Sequence, residues 1–215
     1  MPKQPTLDKV QAFLANILRL TLVIAIAIGA LNQRWLLVFS TSLVLVLTYL
    51  PYFIERRYKI YLPIEFESVI ILFIYASLFL GEIRSYYTKF WWWDIVLHAS
   101  SSIAIGFAGF LILYVLYYKY RIDSKPIWLV IFAFCFGLAI GSLWEIFEFS
   151  MDHLAGTSMQ KSGLRDTMAD LIVDAIGSGL TSSIGYFYLQ GRKAPVFGRL
   201  LKNFKAENPE YFKEG

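Results

Sequence analysis

Residues 144–185 read WEIFEFSMDHLAGTSMQKSGLRDTMADLIVDAIGSGLTSSIG, and the reading of this stretch decides what the rest of the chain is for. It holds enough apolar residues for two helices, yet it carries Glu145, Glu148, Asp152, Asp166, Asp170 and Asp174. On a helix, Asp166, Asp170 and Asp174 are four apart and share one face, and Glu145, Glu148 and Asp152 follow the three-to-four spacing of another. Carboxylates at such regular spacing inside apolar sequence mark a site.

Outward from that stretch the chain is apolar almost throughout. Of its 215 residues 57% are hydrophobic, 18% aromatic and only 17% charged, and its mean hydropathy is +0.54. A soluble domain averages about 25% charged residues and about 45–50% apolar ones. The excess lies in runs long enough to cross a hydrocarbon core of about 30 Å at about 1.5 Å per residue. The composition therefore predicts an all-α, polytopic membrane helix bundle forming one integral membrane domain over residues 1–215. The first apolar run lacks a small-residue cleavage pattern and is expected to stay as an anchor. The single cysteine, Cys135, excludes an internal disulfide, and in its apolar run it reads as a small buried hydrophobe.

Six spans are expected between residues 13 and 189: Phe13–Leu31, Trp35–Ile54, Pro63–Gly81, Asp94–Tyr118, Ile127–Phe149 and Asp166–Leu189. Residues 1–12 read as a polar tail, residues 55–59 as a tight basic loop, residues 152–165 as a polar loop and residues 190–215 as a basic cytoplasmic tail. The aromatic segment ending in Trp91, Trp92 and Trp93 suits a headgroup region. Assigned to alternate loops, fourteen Lys and Arg fall on the side of the two termini and five on the other, with Arg19 inside the first span. That asymmetry predicts cytoplasmic termini in a multi-pass protein of the plasma membrane. It also accounts for the net charge of +4 by topology, and no nucleic-acid motif is present.

With this orientation the charged ends of three helices face the outer side. Asp94 and His98 open the fourth span there, Glu145 and Glu148 close the fifth, and Asp166, Asp170 and Asp174 descend into the sixth. Asp174 is expected about 12 Å deeper than Asp166. A charge held at the bilayer centre costs about 2.5–3.5 kcal/mol on insertion scales, so the deeper residues need each other, water or a cation. Like charges in one dry site cannot all ionise without a counter-ion, so either several are protonated or a metal ion is bound. A divalent metal ion held by His98, Asp94, Glu145, Glu148, Asp166, Asp170 and Asp174 satisfies that need, with zinc, manganese or magnesium as the ions the donors suit. Gly106, Gly137, Gly141 and Gly177 are expected where the fourth, fifth and sixth spans touch. The serines at 100–102 and 182–183 read as packing residues, since no base stands at nucleophile spacing.

The pattern Asp94-x3-His98, Glu145-x2-Glu148, Arg165-Asp166 and Asp170-x3-Asp174-x2-Gly177 resembles the YjdF-like family of bacterial and archaeal membrane proteins. It is similar, more distantly, to the VanZ-like family, which carries Gln where this chain has Glu148 and Asn where it has Asp174. The resemblance covers about Trp91 to Gly185 and implies a membrane protein, with no activity attached.

Three function classes fit these residues. The first is a metal-dependent hydrolase or transferase acting at the outer leaflet on a lipid, a lipid-linked envelope substrate or another small molecule. Glu145 and Asp170 would serve the metal and its bound water there, and Arg165 would hold a phosphate. The second is an ion- or proton-coupled transporter using the acids as a relay. The third is a non-catalytic binding or scaffold protein of the envelope, in which the cluster fixes helix packing. The four-residue Asp spacing is similar to that of CDP-alcohol phosphotransferases, but their full Asp-Gly-x2-Ala-Arg signature is missing. No inverted repeat or pair of broken helices supports the transporter.

Overall fold

The computed structural model describes residues 5–120, 122 and 125–212. Lys3, Arg121 and Lys213, three of the residues counted for orientation, lie outside them. Among the described residues every regular element is helical. The chain divides into two compact units: one runs to Trp93 and includes Asn203–Asn208, and the other takes the remainder from Asp94.

The first unit contains α1 (Pro5–Leu31), α2 (Trp35–Leu47), α3 (Leu50–Tyr58), α4 (Ile64–Ile74) and the short α5 (Tyr86–Lys89). A π-helical segment, Tyr75–Ile83, continues α4. Leu22, Val44, Tyr75 and Phe79 form the core of this unit. Thr21 and Tyr75 share a hydroxyl–hydroxyl bond of 2.9 Å within it. The expected second span is not one helix: α2 and α3 meet at a bend of 40°. Pro51 falls in the first turn of α3, where its missing N–H is tolerated, and the bend precedes it. The residues read as a basic loop, Glu55–Tyr58, are the last turn of α3, and the chain turns after them at Lys59 in the left-handed region. The bend has a use. The guanidinium of Arg19, inside α1, donates to the Thr48 carbonyl at 3.0 Å and to its hydroxyl at 3.3 Å, and it lies 4.2 Å from the centre of the Tyr49 ring.

The second unit contains α6 (Trp93–Tyr120), α7 (Pro126–Ala155), α8 (Leu164–Leu189) and the front of α9 (Pro195–Glu207). Glycines let α6, α7 and α8 approach closely. A Cβ on Gly106 would stand 3.4 Å from the Ser178 Cα, one on Gly177 would overlap the Ser102 hydroxyl, and one on Gly141 would overlap the Asp174 carboxylate. The Ser178 hydroxyl lies against Gly137. The neighbouring serines are satisfied along their own helices: Ser101 donates to the His98 carbonyl at 3.0 Å and Ser182 to that of Ser178 at 2.7 Å.

Among the described residues four helices are long and apolar enough to cross a bilayer: Lys9–Leu31, Ile64–Ile83, Trp93–Tyr120 and Pro126–Leu154. The bent pair α2–α3 makes a fifth if it counts as one span. The sixth expected span, α8, does not qualify on composition, because acids, serines and glycines dilute its apolar residues. Its faces are sharply divided all the same. Asp170, Asp174, Ser178 and Thr181 are buried, and Ile172, Ile176 and Leu180 are exposed.

Several boundaries differ from expectation. The residues read as a polar tail already form the start of α1 from Pro5, and α7 runs on past Phe149 to Ala155. The basic C-terminal segment is largely helical too: α9 buries Phe197, Leu201 and Phe204 and exposes Arg199 and Lys202. The Phe197 ring meets Phe107 and Phe110 edge-on at 4.8 and 4.9 Å. Cys135 is exposed, which corrects its reading as a buried residue. In a membrane helix both faces can be apolar, so an apolar neighbourhood in sequence does not place a side chain inside.

Candidate metal centre

The centre is assembled from the first turns of α6, the last turns of α7 and the first half of α8. His98 stands at its middle, one turn beyond Asp94. The Nδ1 of His98 is 3.3 Å from both carboxylate oxygens of Asp174. The Nε2, on the other side of the ring, faces Glu145 Oε1 at 3.7 Å and Asp94 Oδ1 at 3.9 Å. His98, Glu145, Asp170 and Asp174 are all buried, the three acids at 3%, 3% and 1% exposure. The closeness of Gly141 to the Asp174 carboxylate explains how so polar a face of α8 can seat against α7.

Among the described residues two groups of His and carboxylate side chains offer ligand atoms that lie within 4.8 Å of one another. His98, Glu145 and Asp170 form the inner, fully buried group; Asp94, Asp166 and Asp170 form an outer, half-buried one. Asp170 belongs to both, and it is coupled electrostatically to His98, Asp94, Asp166 and Glu145. Asp174 belongs to neither. It sits behind the imidazole, in the place from which a carboxylate orients a ligating histidine.

Glu145 is the anomaly of the centre. Both of its carboxylate oxygens are shut off from solvent, and neither has a hydrogen-bond partner. The Thr167 hydroxyl is beside it but outside hydrogen-bond geometry, and it accepts from Gln160 Nε2 at 2.6 Å. Leaving a buried acceptor unpaired costs about 1–3 kcal/mol, and more for a charged group. Such a group calls for a specific explanation, such as strain, a catalytic role, or a bound water or ion.

The remaining sequence-derived residues fall elsewhere. Glu148 is half-buried and accepts a hydrogen bond from Trp144 Nε1 at 2.9 Å, outside both groups. Arg165 is exposed on the first turn of α8. Asp152 organises the loop after α7: its carboxylate accepts from the Thr157 hydroxyl at 2.6 Å and from the amides of Met159 and Gln160 at 2.7 and 2.8 Å. That loop delivers a residue whose role the spacing did not reveal. Lys161 Nζ lies 2.8 Å from Asp94 Oδ2, and its amide donates to Asp166 Oδ2 at 3.0 Å. The available signal was a short polar loop joining two acid-bearing helices, with an Asp and a Thr able to close an Asx-type turn.

Comparison with known proteins agrees with a membrane role. The family described as "Predicted membrane protein (DUF2238)" matches residues 12–191, a stretch that includes every residue of the centre. A protein of Thermotoga maritima, described as "Uncharacterized protein", is 30% identical over 142 residues, covering 66% of this chain and 72% of that protein. No solved structure matches the chain.

Proposed function

The chain belongs to the DUF2238 family of predicted membrane proteins, and from that premise we propose that it is a metal-dependent membrane enzyme acting on a lipid or lipid-linked substrate. The observation that carries this reading is the Glu145 carboxylate, buried with no hydrogen bond to either oxygen and 3.7 Å from His98 Nε2, in one group with Asp170. One imidazole and two carboxylates are a donor set for zinc or manganese, and a fully oxygen-ligated magnesium suits it less well. An ion there would polarise a phosphoryl or acyl oxygen and lower the pKa of a bound water.

The protein's own groups support that chemistry. Asp174 fixes the His98 ring by its Nδ1 and so aims Nε2 at the site. Asp170 and Glu145 supply charge in surroundings with little water, where each interaction is stronger than in solution. Arg165, exposed where α8 begins, is placed to meet a headgroup phosphate. The divided faces of α8 support its crossing the membrane as a sixth span, polar side inward. With both termini cytoplasmic, the centre opens to the outer side of the plasma membrane. Cysteine labelling at Ser158 from outside intact cells checks that orientation, and labelling only after permeabilisation would reverse it.

Metal analysis of the full-length protein, purified in detergent, tests the reading. The wild type is expected to retain a divalent metal and to lose thermal stability with chelator, and Glu145→Gln is expected to lose the metal at least about 100-fold more readily. Incubation in vesicles with lipid phosphates and lipid esters, with and without chelator, then looks for turnover by mass spectrometry. A wild-type protein that binds no metal, and whose melting ignores chelator, overturns the proposal.

A further inference from the structure

We infer that the centre holds two cations that share Asp170, and that Lys161 is the built-in occupant of the second position until a metal displaces it; this rests on the reading of the first group as a metal site.

The inner group, His98, Glu145 and Asp170, and the outer group, Asp94, Asp166 and Asp170, have only Asp170 in common. A carboxylate has two oxygens and can give one to each ion, and paired ions in such sites stand about 3.5–4 Å apart. The inner group is marked as a ligand site by Glu145, whose two buried oxygens have no hydrogen-bond partner. The outer group is marked by what already sits on it. The Lys161 ammonium is 2.8 Å from Asp94 Oδ2, and the Lys161 amide holds Asp166 at 3.0 Å. Asp152 folds the loop that brings it there.

Charge balance points the same way. Five carboxylates, those of Asp94, Glu145, Asp166, Asp170 and Asp174, surround one imidazole and one ammonium. One divalent ion together with Lys161 leaves a negative excess, and replacing Lys161 by a second ion reduces it. The side chain of Lys161 is 31% exposed, so its head can move to solvent without unfolding the loop. The two positions differ in chemistry. The inner one includes a nitrogen donor, and the outer one is all carboxylate and suits a hard ion such as Mg²⁺ or Mn²⁺.

Mn²⁺ is the probe for the test, added to the metal-stripped, full-length protein in detergent, with binding followed by equilibrium titration and electron paramagnetic resonance. The wild type is expected to take two ions, one tightly and one more weakly, with the spectrum at two equivalents showing spin coupling between them. Lys161→Met is expected to tighten the second ion about tenfold by removing a competing cation, with the first unchanged. Asp94→Asn is expected to lose only the second ion, Glu145→Gln chiefly the first, and Asp170→Asn to weaken both. One ion that is lost in Glu145→Gln and indifferent to Asp94→Asn and Lys161→Met overturns the pair and leaves the proposed function standing. Two ions without spin coupling also overturn it, because they would not share Asp170. A protein that binds no Mn²⁺, Zn²⁺ or Mg²⁺ takes down both readings. Melting of each metal-free variant separates lost binding from lost folding.

Discussion

The molecule buries charge in its helices in two ways, and the two differ in what the charge is given. Arg19, half-buried within α1, has a partner at each of its three guanidinium nitrogens, the Thr48 carbonyl and hydroxyl and the Asn16 side chain at 3.3 Å, and it lies over the face of Tyr49. The bend between α2 and α3 makes this possible, since it brings the Thr48 carbonyl within reach of the guanidinium. Glu145, within α7, is more deeply buried and has no hydrogen bond to either oxygen. The charge on Arg19 is explained by the fold that supplies its partners. A carboxylate without hydrogen bonds is a standing cost, and the metal ion proposed above would relieve it.

The comparison fails first at Gly141, where the largest effect on stability is expected. A Cβ there would overlap the Asp174 carboxylate, which is wedged between α7 and α8 and held against His98. Gly141→Ala is expected to lower stability by about 1–3 kcal/mol, as overpacking does, and to loosen metal binding by turning the His98 ring. Gly106→Ala is the control. Its Cβ would make an ordinary contact with Ser178, and its melting temperature is expected to stay close to that of the wild type. Equal losses in the two variants would mean that small residues, and not the centre, set the requirement at 141.

Arg19 comes next. Arg19→Met keeps the bulk of the side chain and removes the donors, which leaves Thr48 to find others. A loss of about 1–2 kcal/mol is expected, with metal content unchanged, because the role is packing. Glu145→Gln should show the opposite signs in the metal-free protein: unchanged or higher stability from removal of a buried charge, and lost metal binding. Measuring melting and metal content on both variants checks the distinction directly. Loss of metal in Arg19→Met would erase it.

How much of this could be read from the chain depends on which physical signal each feature leaves. The spans at α1, α4, α6 and α7 are continuous apolar runs, and hydropathy finds them because length and composition are the whole requirement. The break after Leu47 was marked only by Pro51, and an apolar run on both sides of it concealed the bend. The centre itself was legible, because Asp170 and Asp174 at four-residue spacing, with Gly177 beyond, leave little else for that face of α8 to do. Position within the centre was not. Periodicity put Asp174 among the ligands, and it cannot say which side of an imidazole a carboxylate will meet. Glu148 shares a face with Glu145 in the pattern, but its oxygen is held by Trp144 on the same helix. Lys161 could be read only as one of the few bases near the acids: it reaches Asp94 because Asp152 folds the loop, and a loop conformation has no period.

The smallest effect on folding, and the finest distinction, is expected from Asp174→Asn. Asp174 touches the Nδ1 of His98, on the far side of the ring from Glu145. If it orients the histidine, an amide keeps the shape, and its oxygen can still accept from Nδ1–H. It surrenders the charge that would strengthen Nε2 as a donor to the proposed metal. Metal affinity is then expected to fall by about 10–100-fold, the range for a partner behind a ligand, with the metal-free protein as stable as the wild type or slightly more so. Were Asp174 itself a ligand, the number of bound ions or the coordination of the first would change, and X-ray absorption on the zinc-loaded protein would show one oxygen neighbour altered. An unchanged coordination shell with weaker binding is the signature of a positioning residue. An unchanged affinity would mean that the His98–Asp174 contact serves the packing of α6 against α8, which would put Asp174 on the same footing as Arg19.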